Sequence, residues 1–163
     1  MKKLVVMCVD DERDILTSLE YDLENLLGCI EIELCESAEE AIETIDMLEK
    51  GKEQIALLIT DQMMPGSKGS DLLADLNDIE SVKKTKAILL TGQASHEDTI
   101  SAVNTHRLNA YIGKPWSKED LLSKAKELLT DYVIENEIPP QPYIKYLDGK
   151  RLLEAVVNLG DTE

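Results

Sequence analysis

The sequence predicts an α/β domain: a parallel β-sheet with helices on both faces. Three observations carry that class. Apolar runs of strand length recur along the chain, and two of them, Leu4 to Val9 and Ile55 to Thr60, are unbroken enough to be central strands covered on both sides. Segments with apolar residues at helical spacing follow the strands in regular alternation, which is the signature of crossover connections. Both unbroken runs end in carboxylates, Asp10-Asp11 and Asp61. In an open parallel sheet that end faces the ligand crevice.

In chain order, Leu4 to Val9 is the first strand. Glu12 to Leu27 places Ile15, Leu19, Leu23, Leu26 and Leu27 at helical spacing, with Gly28 positioned to stop the helix. Ile30 to Cys35 alternates apolar and acidic residues, as an exposed strand near one sheet edge would. Ser37-Ala-Glu-Glu40 fits a capping box, and Ala41, Ile42, Ile45 and Leu48 form the buried face of the next helix. Lys50 to Glu53 leads back to the Asp61 strand, which breaks into the loop Met63-Met64-Pro65-Gly66.

Ser70 opens a helix carrying Leu72, Leu73 and Leu76, and Ala87 to Leu90 is a fourth strand ending in Thr91-Gly92. Ser95-His96-Glu97-Asp98 starts a helix with Ile100 and Val103 that ends near Arg107. Ala110 to Ile112 is a short fifth strand, followed by Gly113-Lys114-Pro115-Trp116. Ser117 to Asp120 opens the last helix of the alternating region, with Leu121, Leu122, Ala125, Leu128 and Leu129 inward.

The expected domain therefore spans residues 1–130, and residues 131–163 behave differently. Ile138-Pro139-Pro140-Gln141-Pro142 is linker-like and partly extended, because proline lacks a donor and restrains its predecessor. Leu147 to Leu159 forms one amphipathic helix with Gly160 as its stop. This extension is too short for an ordinary independent output domain. Docking on the main domain, self-association into a homodimer and the start of a linker to a further effector domain stay open for it.

Composition excludes several functions. Of 163 residues, 33 are acidic and 17 are Lys or Arg, a formal charge of −16, so the chain repels phosphate backbones and anionic membrane surfaces. No direct nucleic-acid or membrane role is expected. No segment has the length of a membrane span, and the N-terminal run lacks a signal-peptide pattern, so a cytoplasmic location is expected. Cys8, Cys29 and Cys35 are an odd set without a C-x-x-C pair, which favours buried packing over disulfides or zinc. His96 and His106, ten apart, do not share a face at metal-ligand spacing.

Taken together, the strand ends bring Asp10, Asp11, Asp61, Thr91 and Lys114 to one edge. Three carboxylates converging there repel each other by up to about 4 kcal/mol per pair at 4 Å and an effective dielectric near 20. They require cations. Lys114 supplies one charge, and Mg²⁺ supplies two with the all-oxygen ligand set that a hard cation prefers. Such a balance suits a phosphoryl group approaching Asp61 for in-line attack by its carboxylate. Read alone, Asp61 is equally a cap on the turn that follows it.

Four separated motifs in order sharpen this: V-D-D-E at Val9 to Glu12, T-D-Q-M-M-P-x-x-x-G at Thr60 to Gly69, L-L-T-G at Leu89 to Gly92 and Y-I-G-K-P at Tyr111 to Pro115. Over Lys2 to about Thr130 the sequence resembles the receiver domain of two-component response regulators. The resemblance implies a doubly wound five-stranded sheet of order 2-1-3-4-5. It implies that Asp61 is the phosphoacceptor, supplied by a histidine kinase, a phosphotransfer protein or a small phosphodonor. Asp11 and Asp10 then hold Mg²⁺ with Asp61 and the backbone carbonyl of Met63, and Thr91 and Lys114 contact phosphoryl oxygens. Tyr111 matches the switch aromatic that turns inward with Thr91, where spacing alone suggests packing at a strand edge, and the Lys114–Pro115 bond is expected to be cis.

The resulting reading is a phosphorylation-controlled signalling module, not a metabolic enzyme, that remodels its fourth-helix, fifth-strand and fifth-helix face for a downstream protein. A Mg²⁺-dependent phosphohydrolase with an aspartyl-phosphate intermediate is the enzymatic alternative, and Met63 stands where such enzymes use a second Asp. A receiver-shaped scaffold without phosphorylation is the third reading, against which the intact acidic set counts. Met63 and Gln93 also line the expected approach of water, and neither is a base, so the phosphorylated lifetime is expected to depend on shielding. Lys68 departs from the acidic or small residue common before the glycine, which leaves kinase-docking contacts there undefined.

Overall fold

A computed structural model describes residues 3–28, 30–92 and 108–161, with side chains described as far as 158. Five strands, β1 (Leu4–Val9), β2 (Ile30–Cys35), β3 (Gln54–Asp61), β4 (Lys86–Thr91) and β5 (Ala110–Gly113), form one sheet of order 2-1-3-4-5. Every pairing is parallel. Expected class and order are both observed.

The two apolar strands are central because each is buried on both faces. Leu4, Val6 and Cys8 of β1 pack with Leu57 and Ile59 of β3 against α1 (Arg13–Asp22) and α4 (Lys118–Glu135). Val5, Met7 and Val9 pack with Ile55 and Leu58 against α2 (Ala38–Lys50) and α3 (Gly69–Leu76). Strict alternation would place Ala56 with the second layer. Instead the β1–β3 register shifts between Val5 and Val6, and Ala56 and Leu57 both face the first layer. Cys8 and Cys35 are buried free thiols on opposite faces of the sheet, consistent with packing.

Several boundaries differ from expectation. The first helix ends at Asp22 rather than Leu27 and continues as a 3₁₀ turn over Glu24–Leu26. This tighter turn buries both Leu23 and Leu26 while leaving Leu27 exposed. Ser37 Oγ accepts from Glu40 N at 3.0 Å, but the Glu40 carboxylate accepts from Glu36 N rather than Ser37 N, so the cap is one-sided. The Met63–Gly66 loop is a small hairpin in which Met63–Met64 pairs antiparallel with Ser67–Lys68 around Gly66 at φ +76°. Ser117 caps α4 by accepting from Asp120 N, as expected. That helix runs on to Glu135.

Beyond α4 the chain folds back on the α1–α4 side of the sheet. A 3₁₀ segment, Gln141–Tyr146, buries Tyr143, Tyr146 and Leu147 against the α1–α4 layer. Tyr146 Oη donates to Leu27 O at 3.1 Å, and Asp148 N donates to Thr130 Oγ1 at 2.7 Å. The last helix, α5, spans Gly149–Asp161, two residues later than expected, because the Asp148 carboxylate caps it by accepting from Arg151 N. Gly160 lies within it and is not its stop. Arg151 makes a two-pronged bond to Asp131 at 2.7 and 2.8 Å, fastening α5 to α4, while Leu153, Val156 and Val157 face solvent. Among the described residues no helix is long and apolar enough to cross a membrane. The expected helix near 95–107, with His96, His106 and Gln93, and the thiol of Cys29 lie outside the described residues.

Candidate phosphoacceptor site

Asp10, Asp11 and Asp61 stand at the carboxyl ends of β1 and β3, adjacent strands in the sheet. One carboxylate oxygen from each lies within 4.8 Å of the others. Asp10 is fully buried, Asp61 nearly so, and Asp11 is exposed. The loop after β1 fixes Asp10: its main-chain N–H donates to Cys35 O, and its Oδ1 accepts from Glu12 N at 2.8 Å. That bond starts the turn into α1 and leaves Oδ2 directed to the crevice.

Lys114 reaches in from the end of β5. Its Nζ lies 2.9 Å from Asp10 Oδ2 and 3.0 Å from Asp61 Oδ1, so one ammonium bridges the two buried carboxylates. The Lys114–Pro115 peptide is cis, as expected, and Lys114 N donates to Thr91 O at 2.8 Å. Thr91 is buried at the end of β4, opposite Gly113. Thus the strand ends bring Asp10, Asp61, Thr91 and Lys114 together, with Asp11 at the open side.

The electrostatics are divided. Burial pushes the Asp61 carboxyl above the usual carboxylate range, the bond from Lys114 pulls it back, and Asp10 and Asp11 push it up again; the net shift is upward. Burial works against the Lys114 ammonium, yet Asp10 and Asp61 outweigh it and hold its pKa above the ordinary value. Three carboxylates with one ammonium retain net negative charge. An all-oxygen donor set of this kind fits a hard divalent cation such as Mg²⁺ and no soft metal.

Two residues of the Thr60–Gly69 motif have roles at the site that the motif alone does not assign. Gln62, next to Asp61, is buried: its Oε1 accepts from Ser70 N at 2.9 Å and its Nε2 donates to Ser70 Oγ at 3.2 Å. This amide clamps the start of α3 under the loop that follows Asp61. The only signal for it is a polar residue continuing an apolar strand. Gly69 is the second, since a Cβ there would run into the Asp61 carbonyl oxygen, while Gly69 N donates to Gln62 O at 2.9 Å. Met63 has its side chain 63 % exposed, and Tyr111, at 59 %, faces outward on the edge strand.

A lysine-bridged acidic cleft at the carboxyl edge of a 2-1-3-4-5 sheet is the site and fold of the receiver class. The family model of the response regulator receiver domain matches residues 6–126. The chain therefore belongs to that family, whose members are signalling modules and not metabolic enzymes. Chemotaxis protein CheY-3 of Vibrio cholerae is 28% identical over 127 residues, covering 78% of this chain and 92% of the relative. The regulatory protein VanR of Enterococcus faecium is 31% identical over 127 residues, but this alignment covers 50% of VanR. Among solved structures, a CheY-like response regulator receiver domain protein from Methanospirillum hungatei superposes with a TM-score of 0.70 at 31% identity, covering 83% of this chain and 99% of the other.

Proposed function

We propose that this receiver accepts a phosphoryl group on Asp61, in a Mg²⁺-dependent reaction, from a histidine kinase, a phosphotransfer protein or a small phosphodonor. The observation that carries the reading is the single Lys114 ammonium shared between Asp10 and Asp61. It marks a crevice whose negative charge is incompletely balanced and where a cation would be gained with a phosphoryl group. Asp10, Asp11, Asp61 and the Met63 carbonyl would hold the Mg²⁺, which neutralises charge on the incoming phosphoryl oxygens.

In this reaction an Asp61 oxygen attacks phosphorus in line, and the leaving group departs on the opposite side with its electron pair. Lys114 shifts from Asp61 to a phosphoryl oxygen while keeping Asp10. The Thr91 hydroxyl donates to another phosphoryl oxygen, and Tyr111 turns inward from its exposed position as Thr91 is drawn to the phosphoryl group. That change biases a pre-existing equilibrium of the surface beside β5 and is read by a downstream protein or a fused effector domain. The receiver unit is assigned to 1–130, with 131–163 as an extension whose buried tyrosines favour docking over a free linker. A cytoplasmic location follows from partnership with a kinase.

The test is incubation with Mg²⁺ and acetyl phosphate followed by intact-mass measurement. A gain of one phosphoryl group that is absent in Asp61→Ala supports the reading. No gain, together with no response to beryllofluoride, overturns it.

A further inference from the structure

The loop that carries Lys114 is held from outside the crevice by the far end of α1. The Trp116 indole Nε1 donates to Asp22 Oδ2 at 2.8 Å, and Asp22 is the last residue of α1. Two residues after Trp116, Lys118 Nζ lies 5.5 Å above the ring of Tyr21, the neighbour of Asp22. At its other end the same helix follows directly on Asp10-Asp11, with Glu12 N bonded to Asp10 Oδ1. α1 is thus a ten-residue strut, about 15 Å long, tied to the acidic strand end at one terminus and to the lysine loop at the other.

Trp116 packs partly buried against the core, but the loop also borders open space on its α1 side. A cavity of about 840 Å³ lies elsewhere along α5, but between α1 and the lysine loop there is a second one of about 410 Å³, lined by Ile15, Ser18, Asp22, Lys114, Pro115 and Trp116. Lys114 is held on the crevice side by its N–H to Thr91 O and by the Asp10 and Asp61 carboxylates, so on the α1 side the loop's position depends on what directed bond it makes there. The charge-assisted bond from Trp116 to Asp22 is such a bond, and it acts two residues from Lys114.

We propose that Trp116, anchored on Asp22, is a positioning residue for Lys114 that fixes the ammonium where it meets the phosphoryl group on Asp61. The proposal rests on the reading of Asp61 as phosphoacceptor. Neither residue touches the phosphoryl group; both act through the backbone of the loop. A misplacement of about 1 Å at a reacting group costs up to a hundredfold in rate, so loss of this tether is expected to slow phosphorylation about tenfold.

The experiment compares phosphoryl uptake from acetyl phosphate by intact mass in the full chain, at saturating Mg²⁺, for Asp22→Ala, Trp116→Phe, the double variant and Asp22→Asn. Expected are slowing in both single variants and no further slowing in the double. Asp22→Asn, which keeps an acceptor, should return close to wild type. Mg²⁺ affinity, followed in the Asp22 variants through the chain's one tryptophan, should be unchanged, and the urea midpoint should fall by no more than one hydrogen bond accounts for, so that every variant is folded in the uptake assay. Single variants at the wild-type rate, a multiplicative double variant, or a parallel loss of Mg²⁺ affinity overturns the proposal. A wild-type protein that takes up no phosphoryl group overturns the Asp61 reading and this inference with it, whereas a normal wild type with normal variants overturns this inference alone.

Discussion

Lys114→Met tests the charge balance of the crevice directly. The wild-type ammonium sits 2.9 Å from one buried carboxylate and 3.0 Å from another. At an effective dielectric near 20 each contact is worth roughly 5 to 6 kcal/mol of gross attraction, most of it offset by desolvation. Removing one partner of a buried pair costs about 3–5 kcal/mol, because the remaining charge is left uncompensated. The Lys114 side chain keeps 17 % of its surface exposed, so the lower end applies and about 3 kcal/mol is expected without Mg²⁺.

The assay is urea unfolding at neutral pH with the m-value held in common. Adding Mg²⁺ at ten times its Kd should return about 1.4 kcal/mol. Asp61→Asn in the same background should recover part of the loss by removing one of the stranded charges. The pH dependence has a definite sign. Asp61 is already raised above the carboxylate range by burial, and loss of Lys114 removes the group that lowers it. A raised folded-state pKa means that the folded chain binds more protons than the unfolded one, so stability is lost as pH rises through it. The deficit of Lys114→Met should therefore be full at neutral pH and shrink in acid. A variant within 1 kcal/mol of wild type at neutral pH without Mg²⁺ would refute the reasoning.

The remaining predictions concern the loop, the clamp and the extension. EDTA should abolish phosphoryl uptake, and Asp11→Ala should weaken the Mg²⁺-induced rise in thermal midpoint without unfolding the protein, since Asp11 is exposed. Met63→Ala should speed autodephosphorylation of the acyl phosphate; an unchanged rate means that this side chain does not shield it. Gly69→Ala forces a methyl group against the Asp61 backbone and should cost about 1–3 kcal/mol in urea unfolding while slowing uptake. Tyr146→Phe removes the bond to Leu27 O and should lower stability by about 1 kcal/mol in urea unfolding of the full chain; an unchanged midpoint means that the bond does not fasten the extension.

What could be read along the chain was whatever depends on residues close in sequence. Burial on both faces makes β1 and β3 continuous apolar runs, amphipathic spacing marks α2 and α3, and Ser117 caps α4 by a bond three residues long. The strand-end residues were therefore legible as a set, and their motifs implied the strand order that the sheet adopts. Tertiary structure decided the features that join distant segments. Lys114 meets Asp10 across 104 residues, Trp116 meets Asp22 across 94, and Tyr146 closes on Leu27 across 119, and no local pattern encodes which acid or carbonyl is chosen. The early end of α1 at Asp22 and the displaced Ala56 have the same origin. Each is a compromise between a local preference that periodicity reveals and packing against a layer assembled from elsewhere in the chain, which exists only once the sheet has formed.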